Sequence, residues 1–284
     1  MDIGRVLIPL YDSPFDNRLF DMAQQIVKGG HACLQVVYFR PAVSAMAIAG
    51  LEDATADGAS ERDEEVAAET TEANIRESLE LWARLHGYSI TNEHVVGIPF
   101  QLSFKELVDD PTEALTLLGR LSDLIICVKP RREAGSSQQI FDTAISATGR
   151  LTVVVPRDPP AEILQHVLIA WDGSLQISHV LAQAIRFLRL AGRISIFCYP
   201  DANCDPTSVW QLIQYLACHG ITARQVDVRR TKPIGEALTE TAIAENVSLI
   251  AMGAYGHSRT RQFLLGGLTR HMLKNTTLPL LMTH

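Results

Sequence analysis

The sequence predicts an α/β protein of two tandem domains, each an open five-stranded parallel sheet with helices on both faces. The first observation is an internal repeat, because residues 5–13 (RVLIPLYDS) align without a gap on residues 166–174 (HVLIAWDGS). The halves also close alike, with SDLIIC and LTVVV ending the first, and VSLIAM and LPLLM ending the second. The third observation is the proline-rich stretch 156–160, which interrupts helix and strand alike and is interpreted as a linker.

Hydrophobic periodicity fills each half with alternating helices and strands, which favours the strand order 3-2-1-4-5. In the first half the pattern predicts, in order, helix 17–28, strand 31–39, helix 61–85, strand 91–96 and helix 102–118. In the second half it predicts helix 176–190, strand 193–199, helix 206–219, strand 221–228, helix 234–245 and, after the strand 247–252, helix 265–274. The predicted domains are residues 1–157 and 158–284, and an Ala- and Gly-rich insert at 41–60 is expected to be a loop.

Composition and charge exclude several classes of function. The net charge is −7 and no basic face is evident, so nucleic acid is not expected as a partner. No apolar run is long enough to span a bilayer and the first residues lack a signal-peptide pattern, so we expect a cytoplasmic protein without membrane contact. The five cysteines form no CxxC pair, and we expect reduced thiols, with Cys198 as a small buried apolar group. Cys204, Cys218 and His219 lack a fourth ligand, so no metal site is predicted.

A glycine-containing loop joins the predicted strand 247–252 to the predicted helix 265–274. Gly253 and Gly256 open the loop, Gly266 and Gly267 close it at the helix start, and His257 lies between them with two arginines. Glycines let the backbone approach a ligand, and a helix N-terminus supplies unpaired N–H donors and a partial positive charge. The pattern indicates an anion site suited to phosphate, although glycines at strand ends are also common as simple turns.

An acid is predicted beside this loop. In an open parallel sheet, ligands bind beyond the carboxyl ends of the strands where the strand order reverses, which here is between the first and fourth strands. In the second half those strands end at Asp172 and Gly253, so a carboxylate able to accept ribose hydroxyl protons would neighbour the glycines. The segment Asp172-Gly-Ser174 is equally suited to a turn and a helix cap, and one residue can serve both purposes.

On these motifs the chain resembles a tandem universal stress protein over nearly all of both halves. The residues that carry the resemblance are the Asp172-Gly-Ser opening, the spacing Gly253-x2-Gly256-x9-Gly266 and the closing LPLL segment. The resemblance implies Rossmann-like domains of the adenine nucleotide alpha hydrolase-like type, with ATP, with or without Mg²⁺, held in the second domain. It places Asp172 at the adenosine, Ala170, Trp171, Cys198 and Tyr199 around the base, and Gly253, Gly256, His257, Gly266, Gly267, Leu268 and Thr269 around the ribose and phosphates. Met252, just before the loop, completes the candidate set.

Two departures from the family pattern affect the expected site. Gly267 stands where the family has Ser or Thr, so one hydroxyl contact to phosphate is lost while the backbone donors remain, and Thr269 offers a second hydroxyl. In the first half, Val128 and Arg131 fall where Gly253 and Gly256 stand, and Tyr11 falls where Asp172 does. Side chains at those positions obstruct close approach of a phosphate, so the first domain is expected to have a degenerate nucleotide loop.

The resemblance implies a cytoplasmic stress-response protein whose C-terminal domain binds ATP as a regulatory or sensor module. Slow ATP hydrolysis in the same pocket, with His257 as the only loop group that titrates near neutrality, remains an alternative, and no catalytic residue is assigned. A scaffold that binds no nucleotide and acts through dimerisation is the other alternative. A homodimer through the C-terminal sheet-edge strands is expected, because the closing strands lie at a sheet edge if the order is 3-2-1-4-5.

Overall fold

A computed structural model describes residues 4–10, 17–27, 32–40, 61–92, 98, 100–108, 110–130, 136–200, 204–254 and 267–284. Within these ranges, residues 17–18, 61–70 and 136 are described by their backbone alone. The chain divides into two compact units, Asp2–Thr148 and Gly149–His284. The insert 41–60 and the loop residues 255–266 lie outside the described ranges, and the expectations for them stay predictions.

The first unit alternates strands and helices as expected of an α/β protein. Its described elements are β1 (Arg5–Leu10), α1 (Asn17–Val27), β2 (Ala32–Phe39), α2 (Glu61–Leu85), β3 (Phe100–Leu107), α3 (Pro111–Arg120), β4 (Leu124–Val128) and α4 (Ser136–Ser146). The described strand pairs within this unit are parallel, and they give the order β3-β2-β1-β4. Helices α3 and α4 pack over this sheet around a cluster of buried side chains from both layers, namely Leu7, Val37, Phe39, Leu115, Ile125, Ile140 and Ala144.

The second unit repeats this alternation with shorter outer strands. Its described elements are β5 (Leu151–Val155), β6 (His166–Trp171), α5 (Leu175–Leu188), β7 (Arg193–Cys198), α6 (Pro206–Cys218), β8 (Arg224–Gln225), α7 (Ile234–Ala244), β9 (Leu249–Ala251), α8 (Gly267–Asn275) and β10 (Leu280–Met282). The strands follow the order β5-β10-β9-β6-β7-β8. Counted along the second half alone, β6 to β10 therefore take the order 3-2-1-4-5.

One strand departs from the expected pair of five-stranded sheets. Leu151–Val155 was expected to close the first parallel sheet; β5 is grouped with the second unit, where it runs antiparallel to β10, with Val153 opposite Leu281. Its backbone is also held by α5, because the Leu151 N–H donates to Oε1 of Gln183 at 3.0 Å. The described strands thus divide four and six between the units, which divide between Thr148 and Gly149. The domain boundary expected near residue 157 stays a prediction.

The prediction for residues 91–118 was wrong over residues 102–107, which form a strand and not a helix. The apolar spacing predicted a strand at 91–96 and a helix over 102–118. Instead, Phe100–Leu107 is strand β3, in parallel register with β2 from Ala32 to Phe39. The helix begins only at Pro111, where the Asp110 carboxylate accepts the Thr112 N–H at 2.7 Å. A proline is favoured at the first position of a helix, but a helix rarely continues through it. Pro111 therefore indicates that the helix starts there, although the apolar spacing extends further back.

The internal repeat is reproduced in the strand register. In the first unit Val6 lies opposite Leu124 and Leu7 opposite Ile125, and in the second Val167 lies opposite Leu249 and Leu168 opposite Ile250. These are the residue pairs that the alignment of the two halves matches. The residue before each fourth strand repeats as well, because Asp123 Oδ2 accepts the Arg5 N–H at 2.9 Å and Ser248 Oγ accepts the His166 N–H at 2.9 Å.

No helix in the described ranges is long and apolar enough to cross a membrane.

Candidate functional site

The site predicted from sequence centres on the carboxyl ends of β6 and β9. These strands are parallel neighbours, and β6 also pairs with β7 on its other side. The chain leaves β6 through Asp172 and leaves β9 through Met252 and Gly253, so the acid and the first glycine of the loop lie at the same edge of the sheet. This is the point at which the strand order reverses, where open α/β sheets bind ligands.

The turn after β6 combines two roles that the sequence left open. The Asp172 carboxylate accepts the Ser174 N–H at 3.0 Å, and Ser174 caps α5 by accepting the Ile177 N–H at 3.4 Å. Gly173 between them has φ of 70°, a conformation that side chains with a Cβ rarely adopt. Asp172 is therefore a turn former. A carboxylate has lone pairs for about four hydrogen bonds, so the turn does not exhaust its capacity to accept.

Gly253 is in contact with the start of α5. A Cβ built on Gly253 would lie 2.7 Å from Cβ of Gln176 and 3.0 Å from the Ile177 nitrogen. The glycine is therefore required by packing, whether or not a ligand also approaches it. Its absent side chain is what allows the end of β9 to lie directly against the first turn of α5.

The residues expected to wall the base lie on two adjacent strands. Trp171 is paired with Cys198 at the ends of β6 and β7, and Ala170 with Phe197 one step earlier. Both polar atoms of the wall's aromatic rings are engaged, since Trp171 Nε1 donates to Ser208 Oγ at 3.1 Å and the Tyr199 hydroxyl donates to the Lys232 carbonyl at 2.7 Å. Ala170 and Cys198 are buried, whereas Trp171 and Tyr199 are partly exposed, so the two aromatic residues are the ones that can face a ligand.

The helix end of the predicted phosphate loop is described from Gly267 onward. Gly267 is the first residue of α8 and is exposed, and a Cβ placed on it would meet nothing within 4 Å. Leu268 is partly exposed, but the Thr269 side chain is only 3% exposed, so it does not offer its hydroxyl to solvent. Met252 is buried as well, and its N–H donates to the Leu281 carbonyl at 3.0 Å. Gly256, His257 and Gly266 lie outside the described residues.

Sequence reasoning missed one partner of the base wall, Cys204. The structure joins Cys198 and Cys204 by a disulfide with the Cα atoms 5.9 Å apart, so Cys198 is not the isolated thiol that was expected. Cys204 Sγ also lies 3.4 Å from the Trp171 carbonyl oxygen. The only sequence signal was the separation of six residues across the end of a strand, which allows a bridge without requiring one. Cys33, Cys127 and Cys218 form no disulfide.

A lysine near the wall supplies positive charge. A hydrogen bond and ion pair with the Glu240 carboxylate raise the pKa of Lys232, so its ammonium remains charged at neutral pH. Its carbonyl accepts from Tyr199, which ties residues just before α7 to the end of β7. Within the described ranges, no three His, Cys, Asp or Glu side chains are grouped closely enough to hold a metal ion.

The corresponding edge of the first unit has a different chemistry. The shared register confirms that Val128, the last residue of β4, takes the place of Gly253. Lys129 follows it, and partial burial lowers the pKa of this lysine. Tyr11 and Arg131, the other two departures noted in the sequence, lie outside the described residues.

Comparison with known proteins bears on the second unit most directly. The model of the universal stress protein family matches residues 201–284, while no curated protein matches the chain. Three solved structures resemble nearly the whole chain. A universal stress protein from Archaeoglobus fulgidus DSM 4304 is 14% identical with a TM-score of 0.66, covering 98% of this chain and 95% of that one. A putative universal stress protein from Pseudomonas aeruginosa UCBPP-PA14 is 15% identical with a TM-score of 0.53, covering 99% and 93%. The cytoplasmic domain of a prokaryotic cation chloride cotransporter is 10% identical with a TM-score of 0.54, covering 99% and 96%.

These structural similarities establish the α/β, Rossmann-like fold along the chain. Sequence identities of 10–15% are evidence for the fold alone. The family match adds sequence evidence over α6 to β10, which includes the glycine loop and the closing strand. The chain thus carries a universal stress protein domain at residues 201–284, and over that segment the family recognised from its motifs is confirmed.

Proposed function

We propose that the chain is a cytoplasmic stress-response protein of the universal stress protein type whose second unit binds ATP as a regulatory or sensor module. The observation that carries the proposal is the position of Asp172 and Gly253 at the ends of neighbouring parallel strands, where the strand order reverses. The acid would accept hydrogen bonds from the ribose, and the loop from Gly253 to the start of α8 would hold the phosphates through backbone N–H groups.

The described residues fit this ligand on three counts. Trp171 directly precedes the acid and Tyr199 directly follows β7, and a partly exposed aromatic ring at either position suits a flat base. Gly267 at the start of α8 is exposed, and the backbone N–H groups of a helix's first turn suit an anion. The Tyr199 ring is held in place because its hydroxyl donates to the Lys232 carbonyl. If Mg²⁺ accompanies the nucleotide, its ligands would come chiefly from phosphate oxygens and water, as is usual for this ion.

We propose binding without hydrolysis. The candidate base, His257, is the only loop group that titrates near neutrality, and it lies outside the described residues. Asp172, the acid expected at the ribose, is engaged in the turn before α5. A regulatory module needs only that ATP stabilise one state of the protein over another, which binding alone can do.

The test compares ATP with inorganic triphosphate by titration calorimetry. Wild-type protein should bind ATP at one site per chain, because Val128 replaces the glycine in the first unit. Asp172→Ala should weaken ATP about five- to tenfold, the loss expected for a hydrogen bond to a charged group, and leave triphosphate within about twofold.

Asp172→Asn is the matched control for loss of the turn, since the amide oxygen of Asn still accepts the Ser174 N–H. Two equivalent ATP sites per chain, or equal losses for ATP and triphosphate, would contradict the assignment. Absence of ATP binding by the wild-type protein would favour the scaffold alternative.

The expected homodimer stays a prediction, and the strand order changes what it requires. β10 has β9 on one side and β5 on the other, so a second chain could reach the β10 edge only by displacing β5. Association through another surface needs no such exchange.

A further inference from the structure

The pair Cys198 and Cys204 lies at the edge where the base wall meets the start of α6. Cys198 is the last residue of β7, and Cys204 precedes Asp205, whose carboxylate caps α6 by accepting the Ser208 N–H at 2.8 Å. Both thiol positions are less than one-tenth exposed, at 6% and 8%. The Cα separation of 5.9 Å is within the usual range for a disulfide, so the bridge closes without backbone movement.

The position of Cys204 also gives its sulfur a hydrogen-bond partner when the two cysteines are reduced. With Cys204 as a thiol, its Sγ–H donates to the Trp171 carbonyl oxygen, 3.4 Å away at the end of β6. Forming the bridge removes this donor and replaces the contact with a covalent link between β7 and the residue before α6. Each oxidation state therefore has a partner for the Cys204 sulfur, so the protein accommodates both the dithiol and the disulfide.

The three remaining cysteines lack this arrangement. Burial raises the pKa of Cys127 to about 12 and raises the pKa of Cys33, so both remain thiols, the unreactive form, at neutral pH. Cys218 is an exposed free thiol at the end of α6. Only Cys198 and Cys204 have a second sulfur within reach, and all five cysteines lie in the described ranges.

We propose that Cys198 and Cys204 form a reversible disulfide that hydroperoxides oxidise and low-molecular-weight dithiols reduce. In the oxidation, two S–H bonds and the peroxide O–O bond break, one S–S bond forms, and hydrogen peroxide leaves as two molecules of water. The two sulfurs lose two electrons and the peroxide gains them. A small oxidant suits the site because the sulfurs are nearly covered. The oxidised form links the end of β7 to the start of α6, next to Trp171.

The experiment counts thiols in the unfolded protein after treatment in the folded state. The background is Cys218→Ser, because this exposed thiol could form bridges between chains. Reduced protein is treated with hydrogen peroxide and then with dithiothreitol. We expect the loss of two thiols per chain with peroxide and their full return with the dithiol. Cleavage on the N-terminal side of Asp201 should leave the peptides of Cys198 and Cys204 joined only in the oxidised sample.

Adding Cys204→Ser to this background should abolish the loss, since Cys198 then has no partner. Far-UV circular dichroism establishes whether the variant is folded. The disulfide-linked peptides of the parent protein test the bridge without the Cys204 substitution. The proposal is overturned if the parent keeps all its thiols, if the same loss persists without Cys204, or if the dithiol fails to restore the thiols.

Discussion

Gly253, the first glycine of the candidate site, has a structural role that can be tested separately from ligand binding. Adding a Cβ there would bring it within 2.7 Å of Gln176 and 3.0 Å of the Ile177 backbone nitrogen, so β9 and α5 would have to separate. Gly253→Ala should lower the free energy of unfolding of the second unit by about 1–3 kcal/mol, as overpacking does. Urea unfolding measures the change.

Gly267→Ala is the matched control for this substitution. It adds the same methyl group where nothing lies within 4 Å, at the first residue of α8. It should be neutral or stabilise the protein by up to about 1 kcal/mol, because alanine favours helix. Equal effects of the two substitutions would show that contact with α5 does not explain Gly253.

His166 is predicted to make the second unit less stable in acid. Burial lowers the pKa of His166 below its ordinary 6.5, opposed by a hydrogen bond to the Glu245 carbonyl and assisted by the nearby Arg193 guanidinium. Its Nε2 lies 2.9 Å from Ser195 Oγ, so the neutral ring is fully accommodated. Because the unfolded chain then binds the proton more readily than the folded one, stability should be constant above about pH 7.5 and fall as pH decreases through 6.5 to the lower folded pKa.

Two measurements check this pH dependence. The ring resonances of His166 should titrate below pH 6.5 in an NMR experiment, and urea unfolding should show a smaller loss in acid for His166→Gln than for wild type. Protonation of the folded ring at or above 6.5 would contradict the prediction. The ion pair between Arg224 and Glu245 lies beside the ring, so Arg224→Gln is a useful control for its charge.

At the scale of elements, the N-terminus of α8 is where this chain departs from the family pattern. Gly267→Ser places a hydroxyl at an exposed position with open space around it. If the proposed phosphate site is correct, the added hydrogen bond should tighten ATP by about five- to tenfold. Titration calorimetry measures it, with Gly267→Ala separating the hydroxyl from the effect on the helix. Equal affinities of the Ser and Ala variants would place the phosphates elsewhere.

Sequence patterns identified most elements of the second half but misassigned one strand of the first. The helices from 206, 234 and 267 follow the expected positions closely, because each has a proline or glycine near its start and an apolar face. β3 was misread as helix because Phe104, Leu107 and Val108 also fit a helical spacing when the pairing with β2 is unknown. Strand pairing is a contact between distant residues, which local periodicity does not contain.

At the scale of the whole molecule, the position of β5 decides where the second unit begins. A fragment of residues 149–284 retains β5 beside β10, whereas a fragment of residues 158–284 loses it and uncovers the β10 edge. The longer fragment should be more stable by a few kcal/mol, because each fully buried Val or Leu contributes about 1.5–3 kcal/mol. Urea unfolding and sedimentation of the two fragments measure stability and association.

A point variant gives the same test in the full chain. Gln183→Ala removes the acceptor of the Leu151 N–H and should cost about 1 kcal/mol, while leaving the sequence of β5 intact. Equal stability of the two fragments would mean that β5 contributes nothing to the second unit, and the boundary expected near residue 157 would then stand.

The sequence by itself determined the α/β class, the internal repeat and the neighbouring positions of Asp172 and Gly253. These follow from matching apolar runs and from the rule that parallel strands end at one edge. Tertiary structure alone decided that β5 pairs antiparallel with β10, that Gly253 packs on α5, and that Cys204 reaches Cys198. The physical reason is that each of these depends on which surfaces meet, and a strand, a glycine or a cysteine has the same local sequence signal whichever partner it finds.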